Sequence, residues 1–306
     1  MPRQRVQLLL PDIMGECAGT NYLGVSKKLQ SALRQRVISS RAVMISLVIP
    51  TLNEVENIAA LLARIARSEP GPDEIIFVDD GSTDGTRELI RSSASSAPIQ
   101  LIKREAPVLG LAGAVMAGAH AARGDFLVVM DADLSHPPEK IADLLHPLFE
   151  GEADMVIGSR YVEGGSTPGW PIWRKILSRG AAGMAYPLTG VHDSMCGFFA
   201  MPRKLLLELA PSATGFKIAF EAIVQGGKNL RVVEIPIAFR DRARGKSKMS
   251  FGIALLYACR WFAALARMPF QPAGTAVSPW PPTRFSRQSS VANPTKSSNV
   301  ASSAFP

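Results

Sequence analysis

The chain has 306 residues, of which 47% are apolar, and a formal net charge of +8. The excess charge lies at the ends, since residues 1–43 hold seven basic and two acidic side chains, and residues 270–306 hold three basic side chains and no acidic ones. Because charges balance in between, the composition argues against a groove that follows a nucleic-acid backbone, and the length predicts one main globular domain.

We interpret residues 1–43 as an N-terminal extension to which the sequence assigns no function. Its apolar run VQLLL is broken by Pro11 and is shorter than the ~7 residues of a secretory signal, so we expect a cytoplasmic protein. The cysteines, Cys17, Cys196 and Cys259, lack CxxC spacing. That pattern favours reduced thiols over a disulfide framework or a zinc site.

From Met44 onward, short apolar runs alternate with amphipathic stretches. The runs predicted to be strands are MISLVIP, EIIFV, IQLI, FLVVM and MVIGS, followed by CGFFAMP and LRVVEIP. The stretches predicted to be helices include NIAALLARIARS, EKIADLLHPLFE and GFKIAFEAIVQGG. This alternation predicts an α/β fold, with an open, mostly parallel, Rossmann-like sheet covered by helices.

Polar and acidic residues follow several of these strands, where an open α/β sheet binds its ligands. Asp131 and Asp133 leave the fourth strand one residue apart, and Asp79 and Asp80 follow the second. Two carboxylates that converge on a turn are best neutralised by a divalent cation with oxygen ligands, Mg²⁺ or Mn²⁺, which also bridges phosphates. Solvated loop acids are the alternative interpretation.

The segment GLAGAVMAG, residues 110–118, is rich in small side chains but lacks the GxGxxG spacing of a dinucleotide site. It could bring a helix N-terminus close to a diphosphate. Close packing of a helix on the sheet is the interpretation that we favour.

Eight segments, in order and spacing, resemble the polyprenol-phosphate (dolichol-phosphate) mannose synthases, which are inverting family-two glycosyltransferases with a GT-A fold. The segments, which lie between Met44 and Met268, are IPTLNEVENI, VDDGSTDGT, DADLSHPPE, GSRYVEGG, GWPIWRK, CGFFAM, GFKIAFE and FRDRARGKSKM. The resemblance implies transfer of mannose from GDP-mannose to a polyprenyl or dolichyl phosphate by a GT-A catalytic domain, which we place at residues 44–250.

The resemblance also implies a set of site residues. Those that would hold the nucleotide are Pro50, Leu52, Glu54, Val78, Asp79 and Asp80. Asp131 and Asp133 would bind Mg²⁺ or Mn²⁺, and Ser135, which stands where a glutamine can be found, would reach the metal through a water. The residues that would grip the acceptor phosphate are Arg160, Arg174 and Arg242, with Ser247 and Lys248 in a loop that closes over it.

The chemistry of the acceptor fits this assignment without a general base. A phosphate monoester has a second pKa of about 6, so at neutral pH it is largely a dianion and already nucleophilic. The enzyme must then align this oxygen with the anomeric carbon, cover its charge with arginines and place a cation on the departing diphosphate. A single in-line attack on an α-linked donor would give a β-linked product.

Residues 251–268, FGIALLYACRWFAALARM, form an apolar stretch interrupted by Arg260. An arginine at the centre of a bilayer costs about 2.5 to 3.5 kcal/mol, so we favour an amphipathic helix at the membrane interface over a spanning helix. A helix packed in the core is the alternative. Residues 269–306, rich in proline, serine and threonine, are predicted to be a disordered tail. We therefore expect a peripheral protein on the cytoplasmic face of a membrane.

Three other functions remain open at this point. The donor could be a UDP-sugar such as UDP-glucose, with the same acceptor. The acceptor could be a sugar hydroxyl, which would require a base, and Asp193 is then the candidate. The protein could also be a non-catalytic sugar-nucleotide sensor or a membrane-bound scaffold.

Overall fold

The computed structural model describes residues 43–105, 110–210 and 218–241, and within them one seven-stranded sheet. The strands are β1 (Ile45–Thr51), β2 (Glu74–Asp79), β3 (Ile99–Lys103), β4 (Phe126–Val129), β5 (Met155–Ser159), β6 (Phe199–Pro202) and β7 (Val232–Pro236). They lie in the order β3-β2-β1-β4-β6-β5-β7. The prediction of a mostly parallel sheet is confirmed.

The helices of the described residues are α1 (Val55–Ile65), α2 (Thr86–Ser92), α3 (Gly110–Ala121), α4 (Ile141–Phe149), α5 (Ile172–Thr189), α6 (Arg203–Leu209) and α7 (Ile218–Gly226). Short 3₁₀ turns at Pro138–Lys140 and Gly227–Asn229 precede α4 and follow α7. None of these helices combines the length and the apolar character that a membrane crossing requires.

The continuous apolar runs became strands that are covered on both faces. Every residue of β1 and of β2 is buried, as expected for parallel strands between two helical layers. The edge strand β3 is only half-buried. The sheet is therefore most completely covered at its centre, where β1 lies between β2 and β4.

Strand β6 runs antiparallel to both of its neighbours, β4 and β5. The chain reaches it from the loop after α5, which lies at the carboxyl ends of the parallel strands. It therefore enters the sheet from the side of the ligand-binding edge. The residues just before β6 are brought into that edge by this reversal.

Helix α3 packs closely against the centre of the sheet. A Cβ atom on Gly118 would overlap the Val48 side chain and would lie 3.2 Å from a methyl group of Val78. A larger residue there would push the helix away from β1 and β2. The close-packing interpretation of residues 110–118 is therefore confirmed for Gly118.

Candidate active site

The loops after β1 and β2 are joined by hydrogen bonds. The backbone N–H of Asn53 donates to Ser82 Oγ (2.8 Å), and the N–H of Thr83 donates to Asn53 Oδ1 (2.9 Å). The N–H of Glu54 donates to Thr86 Oγ1 at 2.9 Å. Asn53 has a φ of +54°, a left-handed conformation that asparagine tolerates better than most residues. Our sequence analysis missed Asn53, although an asparagine two residues after the end of β1 was the available signal.

Asp79 stabilises the loop after β2 by hydrogen bonds. Its fully buried carboxylate accepts hydrogen bonds from the N–H groups of Gly81 (3.1 Å) and Ser82 (3.0 Å), and also from Ser82 Oγ and Arg87 Nε. Burial alone would raise the pKa of Asp79, but the hydrogen bonds from Ser82 and Arg87 outweigh it and the pKa is lowered. The structure thus gives Asp79 a role in shaping the loop.

Asp80, the next residue, is more accessible. Arg104 Nη1 lies 3.0 Å from its Oδ1 and also donates to the carbonyl of Gly110 at 3.0 Å. Burial raises the pKa of Asp80, and the charge of Arg104 only partly offsets this effect. Asp80 therefore lies where a polar ligand can compete for Arg104 or for the carboxylate.

The other residues predicted to hold the nucleotide differ in accessibility. Pro50 and Val78 are paired in register on β1 and β2, and both are buried. Leu52 and Glu54 are half-buried, and Glu54 Oε2 accepts a hydrogen bond from Asn57 Nδ2 at 2.7 Å. The strand ends thus bring these residues to one edge, with Leu52 and Glu54 nearer to solvent.

The acidic turn after β4 offers three oxygen-bearing side chains. The side chain of Asp131 is 35% exposed, whereas Asp133 is buried and accepts the N–H of Ser135 on Oδ1 at 3.0 Å. Ser135 is also buried, and its Oγ has no hydrogen-bond partner within the described part of the chain. Leu134 has a φ of +64°, so the chain bends sharply between Asp133 and Ser135.

This donor set fits a divalent cation of the magnesium type. Mg²⁺ commonly uses one or two carboxylates and completes its shell with water and substrate phosphates. No group of three His, Cys, Asp or Glu side chains suited to a metal occurs in residues 43–105, 110–210 and 218–241. The residues present therefore fit an ion that is bound by Asp131 and Asp133. The unpartnered hydroxyl of Ser135 is able to bind a water.

His136 supports the acidic turn from the core. Its ring is buried, stacks on Phe198 at 5.3 Å between centroids, and accepts the N–H of Asp131 on Nδ1 at 3.0 Å. Burial lowers the pKa of His136 despite the nearby carboxylates of Asp131 and Asp133. The neutral ring thus fixes the backbone of Asp131.

A small, partly enclosed cleft lies between Asp131 and the segment before β6. The cleft is lined by Pro50, Leu111, Val115, Val129, Asp131, Met195, Cys196, Gly197, Phe199, Ile218 and Ala219. A Cβ atom on Gly197 would lie 3.4 Å from Asp131 Oδ1, so this glycine packs directly against the carboxylate. The Cys196 thiol is free and buried, and burial raises its pKa to about 12. Cys17 and Cys259 lie outside the described residues.

The same segment holds Arg160 in a buried clamp. The N–H, Nε and Nη2 groups of Arg160 donate to the fully buried carboxylate of Asp193 at 2.9, 2.7 and 2.7 Å. Rings of Tyr161, Trp170 and Phe239 lie 5.1 to 5.6 Å from its guanidinium carbon. Burial alone would lower the pKa of Arg160, but Asp193 raises it well above its ordinary value. Arg160 is therefore a fixed cation.

Asp193 is itself held by a buried glutamate that our sequence analysis missed. Glu234 of β7 accepts the N–H of Asp193 on Oε1 at 2.9 Å. Its Oε2 accepts the N–H of His192 at 2.8 Å and lies 2.8 Å from His192 Nδ1. An acid inside the apolar strand VVEIP was the signal, because a buried carboxylate needs partners.

Arg174 lies in the first turn of α5 and is more exposed than Arg160. Its guanidinium carbon lies 3.9 Å from the centroid of the Trp170 ring, and its Nη1 donates to Asp241 Oδ1 at 2.8 Å. Both arginines thus share Trp170 as a neighbour. The remaining predicted residues, Arg242, Ser247 and Lys248, lie outside the described residues, as do the segments 1–42 and 242–306.

Comparison with known proteins identifies the scaffold that carries this geometry. The sequence profile of "Glycosyl transferase family 2" matches residues 46–209, which include the acidic turn, the Arg160 clamp and α5. The chain belongs to glycosyltransferase family 2. Its sheet and helices form the GT-A fold, as predicted.

The names of similar proteins indicate the kind of reaction that the family members catalyse. The chain is 42% identical to a dolichol-phosphate mannosyltransferase of Pyrococcus furiosus over 67% of its own length and 59% of that protein's length. It is 39% identical to the polyprenol monophosphomannose synthase of Mycolicibacterium smegmatis, over 66% of this chain and 80% of that one. Relatives with these names confirm the resemblance to polyprenol-phosphate mannosyltransferases.

A solved structure supports the fold comparison. Glucosyl-3-phosphoglycerate synthase from Mycobacterium tuberculosis, in complex with Mg²⁺ and uridine diphosphate, has a TM-score of 0.55. It is 25% identical, and the match covers 77% of this chain and 82% of that one. Enzymes with this fold thus include one crystallised in complex with a divalent metal and a nucleoside diphosphate.

Proposed function

We propose that this family 2 enzyme transfers mannose from GDP-mannose to a polyprenyl phosphate, of the dolichyl type, with inversion at the anomeric carbon. The observation that carries the proposal is the segment from Asp193 to Gly197. At one end it clamps Arg160, and at the other it lines the cleft beside Asp131. One short piece of chain therefore couples a fixed cation to a pair of carboxylates.

The acidic turn holds the donor end of the reaction. Asp131 and Asp133 would hold Mg²⁺ or Mn²⁺, which when bound stabilises the charge that develops on the departing diphosphate. His136 keeps Asp131 in place by accepting its N–H, and Gly197 packs directly against its carboxylate. We assign Leu52, Glu54 and Asp80 to the nucleotide, with Pro50, Val78 and Asp79 shaping its cradle.

The arginines hold the acceptor end. Arg160 is held rigidly by Asp193, whereas Arg174 can exchange its contact with Asp241 for a phosphate oxygen. Together, Arg160 and Arg174 would neutralise the charge of the acceptor dianion and orient it without a proton transfer. We assign Arg242, Ser247 and Lys248 to the same acceptor phosphate on the basis of the family resemblance.

The environment of Asp193 favours this base-free mechanism. A general base must have an oxygen within reach of the proton that it removes. Both oxygens of Asp193 are bonded to Arg160, and the side chain is fully buried. The alternative function with a hydroxyl acceptor and Asp193 as base therefore loses support.

A donor and acceptor panel tests the proposed function. Purified enzyme is incubated with GDP-mannose, UDP-glucose or UDP-GlcNAc and a short-chain polyprenyl phosphate, and the lipid product is analysed by mass spectrometry and NMR. We expect a β-linked mannosyl lipid from GDP-mannose alone. Faster transfer from UDP-glucose would favour the runner-up function, and an α-linked product would contradict inversion.

A further inference from the structure

Phe239 lies between the two halves of the candidate active site. Its ring centroid is 5.3 Å from that of His136 and 5.5 Å from that of Trp170, with interplanar angles of 74° and 82°. The same ring lies 5.3 Å from the guanidinium carbon of Arg160. One half-buried side chain therefore contacts both the acidic turn and the Arg160 clamp.

The backbone of the same segment connects the same two regions. The N–H of Phe239 donates to the carbonyl of Ser166 at 2.9 Å, in the loop that begins at Arg160. The N–H of Arg240 donates to the carbonyl of Ser135 at 3.3 Å, in the acidic turn. The main chain thus holds the Phe239 ring in place from both sides.

On the donor side, Phe239 reaches the metal-binding carboxylates through one imidazole. The His136 ring stacks on Phe198 at an interplanar angle of 15° and meets Phe239 at 74°. Its Nδ1 accepts the N–H of Asp131 at 3.0 Å. A tilt of the imidazole would therefore move the backbone of Asp131, and the two phenylalanine rings limit this tilt.

On the acceptor side, Phe239 packs against an indole that has no polar anchor. Trp170 is 7% exposed, and its Nε1 has no hydrogen-bond partner within the described residues. Its ring lies 5.6 Å from the guanidinium carbon of Arg160 and 3.9 Å from that of Arg174. Packing, rather than hydrogen bonding, therefore fixes the indole between the two arginines.

We propose that Phe239 is a positioning residue that sets the spacing between the acidic turn and the arginines Arg160 and Arg174. It acts through His136 and Trp170, and not by contact with a substrate. This inference rests on the proposed function, which places the departing diphosphate at the turn and the acceptor phosphate at the arginines. A displacement of about 1 Å between the two halves can slow the reaction about 10²-fold while each half still binds its ligand.

The substitution Phe239→Leu tests the proposal by removing the ring and keeping an apolar side chain. We expect kcat to fall about 30-fold, while the acceptor KM and the Mg²⁺ concentration for half-maximal activity each change less than about threefold. Phe239→Met keeps most of the side-chain volume but lacks the ring, so it should show the same pattern. It also serves if the leucine variant does not fold.

Phe149→Leu is the matched control. Phe149 is also half-buried, and its ring meets that of Phe126 at 5.3 Å and 79°, at the amino end of the sheet. The control should lower the melting temperature about as much as Phe239→Leu does and should leave kcat unchanged. A role of Phe239 in general packing alone would give the two variants the same kcat.

A double-mutant cycle tests whether Phe239 acts through Trp170. The variant that combines Phe239→Leu with Trp170→Leu should be slowed at least about fivefold less than the product of the two single effects, because both substitutions disturb one contact. The combination of Phe239→Leu with Phe149→Leu should match the product of their single effects. Multiplicative effects of the Phe239 and Trp170 substitutions would overturn the proposal.

Two further kinetic results would also overturn it. A raised acceptor KM with kcat unchanged would assign Phe239 to the acceptor half alone, and a raised Mg²⁺ requirement with kcat unchanged would assign it to the acidic turn alone. All rates are measured with the donor that the wild type uses fastest. Preference for a donor other than GDP-mannose would count against the proposed function, whereas the comparison of Phe239→Leu with Phe149→Leu would still decide the role of Phe239.

Discussion

The two ends of the central sheet carry similar charged groups in different settings. At the carboxyl end, Asp193 accepts the N–H, Nε and Nη2 groups of Arg160, and at the amino end of β5, Asp154 accepts the same three groups of Arg231 at 3.1, 2.9 and 3.0 Å. The side chains of the first pair are 10% and 0% exposed, whereas Arg231 and Asp154 are 43% and 13% exposed.

Two buried glutamates show the same contrast between the two ends of the sheet. Glu74 of β2 and Glu234 of β7 are both 2% exposed. Glu74, at the amino end, accepts hydrogen bonds from Ser46 Oγ, the Arg123 N–H and Arg123 Nε at 2.6, 2.7 and 2.9 Å. Glu234 instead holds the backbone next to the Arg160 clamp. The geometry of an arginine–carboxylate pair alone therefore does not identify an active site. Burial of the pair beside a cleft and an acidic turn does.

The largest expected effect comes from the acidic turn. Asp131→Asn combined with Asp133→Asn should lower transfer about 10³-fold, since the cation on the leaving diphosphate contributes several kcal/mol. The matched amino-end variant is Asp125→Asn, whose carboxylate accepts the Met44 N–H. It should keep its turnover. Steady-state rates compare the two, and equal rates would remove the acidic turn from the mechanism.

Asp193→Asn should have the next largest effect. It leaves the buried Arg160 without its counter-charge, so we expect about 3 kcal/mol less unfolding free energy and about 10²-fold slower transfer with a raised acceptor KM. Asp154→Asn should cost below about 1 kcal/mol, because that pair is more exposed, and should leave transfer unchanged. Urea denaturation and steady-state kinetics measure both.

The kinetic pattern of Asp193→Asn also separates positioning from proton transfer. Loss of turnover with stability and acceptor KM unchanged would identify Asp193 as a base. That result would contradict the clamp that we describe.

A smaller effect is expected for Glu234→Gln. Weakening one charge-assisted hydrogen bond under Asp193 should raise the acceptor KM about tenfold and leave the KM for the donor unchanged. Glu74→Gln, the equally buried partner at the amino end, should lower stability without a change in either KM. Equal kinetic effects of the two variants would show that Glu234 acts through general stability.

The smallest effect is a pH dependence of stability at the amino end. Burial alone would raise the pKa of Glu74, but the hydrogen bonds from Ser46 and Arg123 outweigh it and the pKa is lowered. The stabilisation of the folded state by ionised Glu74 is therefore complete above the unfolded pKa of about 4.3. It is lost as the pH falls through the lower, folded pKa. The difference in unfolding free energy between wild type and Glu74→Gln should shrink below about pH 4. A difference that grows in acid would contradict this sign.

Local sequence pattern predicted the seven strands and the acidic edge because it depends on neighbouring residues. The mainly apolar runs of β1 and β2 favour burial on both faces, and DADLSHPP follows a buried strand directly. The Asp193 clamp and Glu234 were not predicted, since their partners lie 33 and 41 residues away and meet only when β5, β6 and β7 assemble. The bridging position of Phe239 was also missed, because its ring partners lie on distant segments of the chain.

The central claim is that a divalent cation held by Asp131 and Asp133 allows the acceptor dianion to displace a nucleoside diphosphate. Transfer from GDP-mannose to a short polyprenyl phosphate by enzyme treated with EDTA, before and after Mg²⁺ or Mn²⁺ is added back, tests this claim most directly. We predict that transfer stops in EDTA and returns with the metal in the wild type but not in the variant with both aspartates replaced by asparagine. Full activity in EDTA would contradict the claim.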